Sequence, residues 1–310
     1  IGDKSPLVTR PAGIRPGINY GPDPTRVTLC FWAPGKSTVH AFGDFSGWKV
    51  QAQNLMNRDG EYFWIELTGL VAGQEYAFQY LVDGTFRIAD PFSDKILDPA
   101  DKFIPTSVYP GLRTFPNEAF SPAEWYYNRL STFQTGQAPF SWKATGYKRP
   151  DKSALVIYEV LIRDFFGPDK RTYQSMIDTL SYFKRLGVNA IQLMPIMEFN
   201  GNESWGYNPT FMFAPDKAYG PREKLKEFID KCHTNGIAVI LDIALNHQDL
   251  PNPMAMLDFD FNAMRPTPAN RWFNVEATHP FSVFYDMNHE STYTRAYVDT
   301  VARYWIDQYL

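Results

Sequence analysis

A chain of 310 residues with 44% hydrophobic residues has material for sizeable cores and for two domains. Its formal net charge of −4, with no basic block, argues against nucleic acid or an anionic membrane surface as a partner. No apolar run approaches the roughly 18–20 residues that a transmembrane helix needs, so no membrane span is expected.

Residues 1–20 hold Pro6, Pro11 and Pro16 and read as an extended leader. Short strands follow. In 27–32, Val27, Leu29 and Phe31 face one side and Thr28, Cys30 and Trp32 the other. A second strand covers 38–42. A third covers 62–67, with Phe63, Ile65 and Leu67 on one face. A fourth, 74–82, carries Tyr76, Phe78, Tyr80 and Val82 in register, and Asp83-Gly84 supplies a two-residue hairpin turn into 85–88. Many short strands separated by turn residues predict a β-sandwich over 21–110. From 111 to 150 prolines recur, and the segment reads as a linker that packs on its neighbours, with a short amphipathic piece around 123–130.

Beyond Pro150 the period changes. Strands are expected at 155–160, 190–194 and 238–241. Between them lie helices marked by Tyr173, Met176, Ile177, Leu180 and Phe183, and by Leu225, Phe228, Ile229 and Cys232; Gly187 and Gly236 end them. A stretch of about forty residues without clear periodicity follows, and loops that long are usually functional. The last segment, about 292–310, is helical. Repeated βα units imply a parallel sheet with helices outside. Three strands do not close a (β/α)₈ barrel, which takes roughly 200–250 residues. The segment 151–310 is therefore either a small open α/β domain or the N-terminal part of a barrel, and the second reading is preferred. Cys30 and Cys232 are expected to be free, buried thiols.

The candidate functional residues lie at the carboxyl ends of these strands, where parallel α/β folds bind ligands. Asp242, Asn246 and His247 follow the third strand. They suit a polar patch on the floor of a site, His247 donating to a substrate hydroxyl; equally they suit loop capping. Glu198, Trp205, Tyr207 and Asn208 follow the second strand. Trp205 and Tyr207 suit sugar-stacking platforms or plain barrel plugs, and the 16% aromatic content is compatible with either. Asp286 suits a ligand contact, and Glu290-Ser291 a helix cap. No metal and no cofactor are expected, because His233, His247, His279 and His289 share no ligand spacing.

Three motifs occur in order at successive strands: Ile157-Tyr-Glu-Val-Leu-Ile-Arg-Asp-Phe165; Trp205-Gly-Tyr-Asn-Pro-Thr210 with Phe213-Ala-Pro-Asp216; and Leu241-Asp-Ile-Ala-Leu-Asn-His247. Together they resemble the α-amylase family of glycoside hydrolases. Phe31-Trp-Ala-Pro34 and Gly43-Asp-Phe-Ser-Gly-Trp48 resemble the immunoglobulin-like starch-binding domain that precedes the barrel in branching and debranching members. The resemblance implies an immunoglobulin-like β-sandwich at 21–110 followed by the first part of a (β/α)₈ TIM barrel. It implies that His247 and Tyr207 contact the sugar at the cleavage subsite and that Asp242 holds the hydrogen-bond network; Asn246 completes the same motif and is a calcium ligand in some members, and Trp205 is kept as a substrate-binding candidate beside Tyr207. The family's nucleophile and acid/base, two carboxylates about 5–5.5 Å apart in retaining enzymes, are expected beyond Leu310, so the chain alone is expected to be inactive. The expected activity of the complete protein is retaining hydrolysis of α-1,4 or α-1,6 glucosidic bonds. A branching or debranching enzyme and a non-catalytic α-glucan-binding protein are the alternatives. The expected partners are an α-glucan, plus another chain or a C-terminal continuation covering the open barrel edges. A secreted or cell-envelope location is expected over a cytoplasmic one.

Overall fold

The computed structural model describes residues 4–116 and 128–309. The first half is built of strands: β1 Gly17–Tyr20, β2 Val27–Trp32, β3 Val39–Gly43, β4 Asn57–Asp59, β5 Tyr62–Leu67, β6 Glu75–Val82, β7 Phe86–Ile88, β8 Ile96–Leu97 and β9 Leu130–Gln134. They form two antiparallel sheets, β1-β2-β5-β4 and β3-β6-β9-β8, with β7 added to β6. The alternation read along β2 and β6 turns Phe31 and Tyr80 inward, and their rings stack between the sheets with centroids 4.5 Å apart. Asp83 and Gly84 both have positive φ, as a two-residue turn from β6 into β7 requires.

Two expectations change here. The end of the segment read as leader is β1, which pairs with β2. The segment read as linker contains β9, an inner strand between β6 and β8. Of the amphipathic piece expected around 123–130, residues 123–127 lie outside the described residues. The segment read as linker contacts the second half at residues 143–147. Asp230 accepts from the backbone amides of Lys143 and Ala144 at 2.8 and 2.9 Å, and Tyr147 stacks on His233 at 4.0 Å.

The second half opens with β10 Ile157–Val160, then α1 Ile162–Phe165, α2 Tyr173–Arg185, β11 Ala190–Leu193, the pair β12 Met197–Phe199 and β13 Pro209–Pro215, α3 Arg222–Thr234 and β14 Ala238–Leu241. Thr172 caps α2, its hydroxyl accepting from the Ser175 amide. Gly236 ends α3 in the left-handed region at φ +74°, which glycine adopts without strain. β10, β11 and β14 form one parallel sheet in sequence order, as consecutive barrel strands do. Tyr158 packs on Phe183 of α2, so Val160 shares its helix-facing side, while Ile157 and Glu159 take the opposite, inner face. Gln192 donates to Glu159 across that inner face at 3.0 Å.

Among the described residues no further strand pairs with β10 or β14. Val156 and Ile157, at the β10 edge, are 51% and 49% exposed. A groove of about 910 Å³ runs along β14, bounded by Trp142, Tyr147, His233 and Ile306. The long aperiodic stretch resolves into β15 His247–Gln248, α4 Pro253–Met256, β16 Phe259–Asp260, β17 Arg265–Pro266 and β18 Tyr285–Asp286. α5, Thr292–Tyr309, then packs Tyr297, Val301 and Trp305 inward. Cys30 and Cys232 are free and buried.

The two halves share an interface. Trp32, on the outer face of its sheet, stacks on Tyr293 and meets Trp272 edge-on, both at 5.4 Å. Phe92 contacts Phe213 at 5.1 Å. Lys36 pairs with Asp258 at 2.6 Å, and the Tyr293 hydroxyl donates to Glu61 at 2.8 Å.

Candidate functional site

The site lies at the carboxyl ends of β11 and β14. β12 and β13 form a hairpin there, with Trp205 and Tyr207 at its tip. The tip turns on Gly206, whose φ is +89°; a Cβ there would lie 2.0 Å from the Pro195 carbonyl oxygen. Gly206→Ala is therefore expected to destabilise the fold by about 2 kcal/mol, through strain and clash together. Thermal unfolding of the variant checks this, and an unchanged midpoint would contradict it.

The bend points Tyr207 at the end of β14. Its hydroxyl donates to Asp242 Oδ2 at 2.6 Å. That bond to a carboxylate, with partial burial added, pushes the phenol up to about 12, so it stays protonated and keeps donating. Asp242 is itself anchored where β14 ends, its amide donating to the Leu193 carbonyl at 3.0 Å.

His247 closes the cluster. Its Nε2 lies 2.6 Å from the Tyr207 carbonyl oxygen, and its Nδ1 lies 3.1 Å from Asn246 Nδ2. A carbonyl only accepts, so Nε2 carries the proton, and Nδ1 accepts from the Asn246 amide. This neutral tautomer satisfies both contacts. The Met287 amide donates to the Asn246 carbonyl at 2.9 Å, and β15 pairs with β18, His247 opposite Asp286.

Tyr207, Asp242, Asn246 and His247 thus come together in one hydrogen-bonded set, and Trp205 stands beside Tyr207 in the chain, 60% exposed. The expected donation from His247 to a ligand hydroxyl meets a prior acceptor, because the Tyr207 carbonyl already takes that proton. A ligand hydroxyl must share or displace it. Glu198 is not part of this surface: it is buried in an ion pair with Lys217. Asp286 is also buried, accepting from Asn274 Nδ2 at 2.7 Å and from His279 at 3.1 Å. Sequence reasoning missed Phe284, whose ring lies 5.5 Å from that of His247. The only signal for it was the length of the aperiodic stretch that carries it. Chemically, the set offers a carboxylate acceptor, a phenol and an imidazole to neutral, hydroxyl-rich ligands, beside exposed aromatic rings.

A parallel βα sheet in sequence order, with a polar cluster at its carboxyl strand ends, is the arrangement of consecutive (β/α) barrel strands. The family model described as "Alpha amylase, catalytic domain" matches residues 163–255. The chain is 32% identical over 248 residues to the 1,4-alpha-glucan branching enzyme GlgB of Rhodospirillum rubrum, covering 77% of this chain and 30% of that protein. It is 27% identical over 296 residues to the malto-oligosyltrehalose trehalohydrolase of Saccharolobus solfataricus, covering 94% of this chain and 44% of that protein. Among solved structures it superposes on the type I pullulanase of Bacillus subtilis, determined with maltose, with a TM-score of 0.69 at 21% identity, over 95% of this chain and 41% of that one. The chain belongs to the α-amylase family. It spans 30–44% of the length of these curated relatives.

Proposed function

We propose that this chain supplies the α-glucan-holding wall of an α-amylase-type enzyme. Asp242, Asn246, His247 and Tyr207 hold and orient a glucosyl unit, and Trp205 offers an exposed ring beside it. The observation that carries this reading is the closed set Tyr207–Asp242 and Asn246–His247–Tyr207 at the strand ends, which presents oriented hydroxyl-binding groups to solvent. We assign no bond-breaking carboxylate among the described residues. In the proposed complete enzyme the chemistry is cleavage of an α-glucosidic bond with retention, completed by water in a hydrolase or by a glucan hydroxyl in a branching enzyme. The GlgB relatives favour the second acceptor, and the pullulanase likeness is compatible with the first. Further polypeptide covering the β10 and β14 edges belongs to the same proposal. So does an immunoglobulin-like, carbohydrate-binding role for the N-terminal sandwich. Strand pairing supports widening that unit from 21–110 to include β1 and β9.

Calorimetric titration of the chain with maltotetraose tests the reading. Saturable binding is expected, and His247→Ala and Tyr207→Phe should each weaken it about tenfold, the loss of one hydrogen bond involving an oriented or charged group. No heat beyond dilution with the unaltered chain would overturn it. Incubating the complete protein with amylose separates the two acceptors: new reducing ends for hydrolysis, α-1,6 branches without them for transfer.

A further inference from the structure

The loop from Asn274 to Asp286 holds an apolar ring against the glucan-holding cluster. β18 runs antiparallel to β15 with His247 opposite Asp286, so the residue just ahead of β18, Phe284, comes to the side of His247. The two ring centroids are 5.5 Å apart and their planes lie at 39°. Phe284 is 47% exposed, whereas its neighbour Tyr285 is half-buried and packs edge-on against Phe259.

The backbone works to keep Phe284 outward. Its φ is +51°, a left-handed conformation that bulky side chains seldom adopt. Asp286 pins the loop that imposes it. Its carboxylate accepts from Asn274 and His279, and its carbonyl accepts from the Asn274 amide at 2.9 Å. Strained conformations persist where surrounding contacts over-determine them, and they concentrate at ligand sites. Here the Phe284 ring is presented to solvent beside the His247 imidazole, itself bonded to the Tyr207 carbonyl.

We infer that Phe284 is a specificity-determining residue whose exposed face stacks on the apolar C–H face of a glucosyl ring adjoining the one held by Tyr207, Asp242 and His247. A pyranose has one polar rim and two largely apolar faces. A ring beside a set of hydroxyl-binding groups matches both features, as ligand sites with few polar groups among aromatic walls do. This inference rests on the glucan-binding reading above and adds a second sugar unit to it.

The test titrates maltotetraose into the full chain and into Phe284→Gly, Phe284→Trp and Tyr207→Ala, with thermal unfolding of each. Phe284→Gly is expected to weaken binding about three- to tenfold while its unfolding midpoint stays equal or rises, because glycine relieves the positive φ. Phe284→Trp should bind within about twofold of the unaltered chain, since the stacking face is kept. If Tyr207→Ala loses binding while Phe284→Gly binds normally, the inference falls and the glucan reading stands. If the unaltered chain does not bind, both fall. If Phe284→Gly and Phe284→Trp both lose binding and both unfold earlier, Phe284 is a packing residue and the inference falls.

Discussion

Replacing Lys217 with methionine should lower the free energy of unfolding in urea by about 3–5 kcal/mol. Lys217 is buried, with its ammonium 3.3 Å from Asp101 and paired with Glu198, and both carboxylates are buried as well. Burial alone would push the lysine down, but the carboxylates of Asp101, Glu198 and Asp216 more than offset it and hold the ammonium charged. Asp101 comes from the sandwich half, in a 3₁₀ turn at Pro99–Phe103, whereas Glu198 and Lys217 belong to the barrel half. Beside them Asp98 pairs with Arg129, which donates to Asn200 at 3.2 Å, and Asn202 donates to the Ala100 carbonyl at 2.7 Å. The pair is thus part of a charged seam across the interface of the two halves.

Methionine preserves much of the volume and removes the cation. Glu198 and Asp101 are then left as uncompensated buried charges or must take up protons. A triple variant, Lys217→Met with Glu198→Gln and Asp101→Asn, removes the two carboxylates paired with the ammonium and should recover most of the loss, Asp216 keeping its bonds from the Phe199 and Ala218 amides. A loss below about 1 kcal/mol for the single variant would show that the seam contributes little.

Wild-type stability, measured against Asp90→Asn, should fall by about 4 kcal/mol between pH 4 and pH 8. Asp90 is fully buried. Its carboxyl meets the Tyr80 hydroxyl at 2.8 Å and the Phe92 amide at 2.8 Å. No ion pair of Asp90 is found among the described residues. Burial, only partly opposed by those two hydrogen bonds, pushes its carboxyl up from 3.8 to about 7. The native state therefore keeps a proton that the unfolded chain has already released. The stabilisation is complete below about pH 4, declines as pH rises and is gone above about pH 7. Asparagine can keep the amide contact to Phe92 and carries no charge at either pH. The variant should then match the wild type at pH 4 and exceed it at pH 8, in urea titrations at both values. A difference between the two proteins that does not change with pH would mean that Asp90 is ionised throughout.

The parts of the fold that were legible share one property: they are local or periodic. The alternation in β2, β5 and β6, the turn at Asp83-Gly84, and the helices closed by Gly187 and Gly236 occur where expected, within a residue or two. The polar set after β14 was legible because a short apolar strand ending in Asp, Asn and His is a local pattern. The missed strands have specific causes. β13 is buried at every residue, so its side chains show no alternation, and Pro209 and Pro215 at its ends argue against a strand. β9 carries Ser131 and Thr132 inside the fold and reads as polar loop among prolines.

The residue pattern alone fixed the types of the periodic elements, the change from sandwich to βα units, the family motifs and the residues at the strand ends. These follow from side-chain periodicity and turn chemistry, which act over a few residues. Tertiary packing settled which of those residues meet. It gave the Tyr207 hydroxyl to Asp242 and the Tyr207 carbonyl to His247, placed Phe284 beside His247, and buried Glu198 against Lys217 and away from the site. Each of these contacts joins residues far apart in the chain, or is set by burial that no local pattern encodes. A carboxylate or an aromatic ring reads the same in sequence whether it faces a ligand or a buried partner, and the three-dimensional packing alone separates the two.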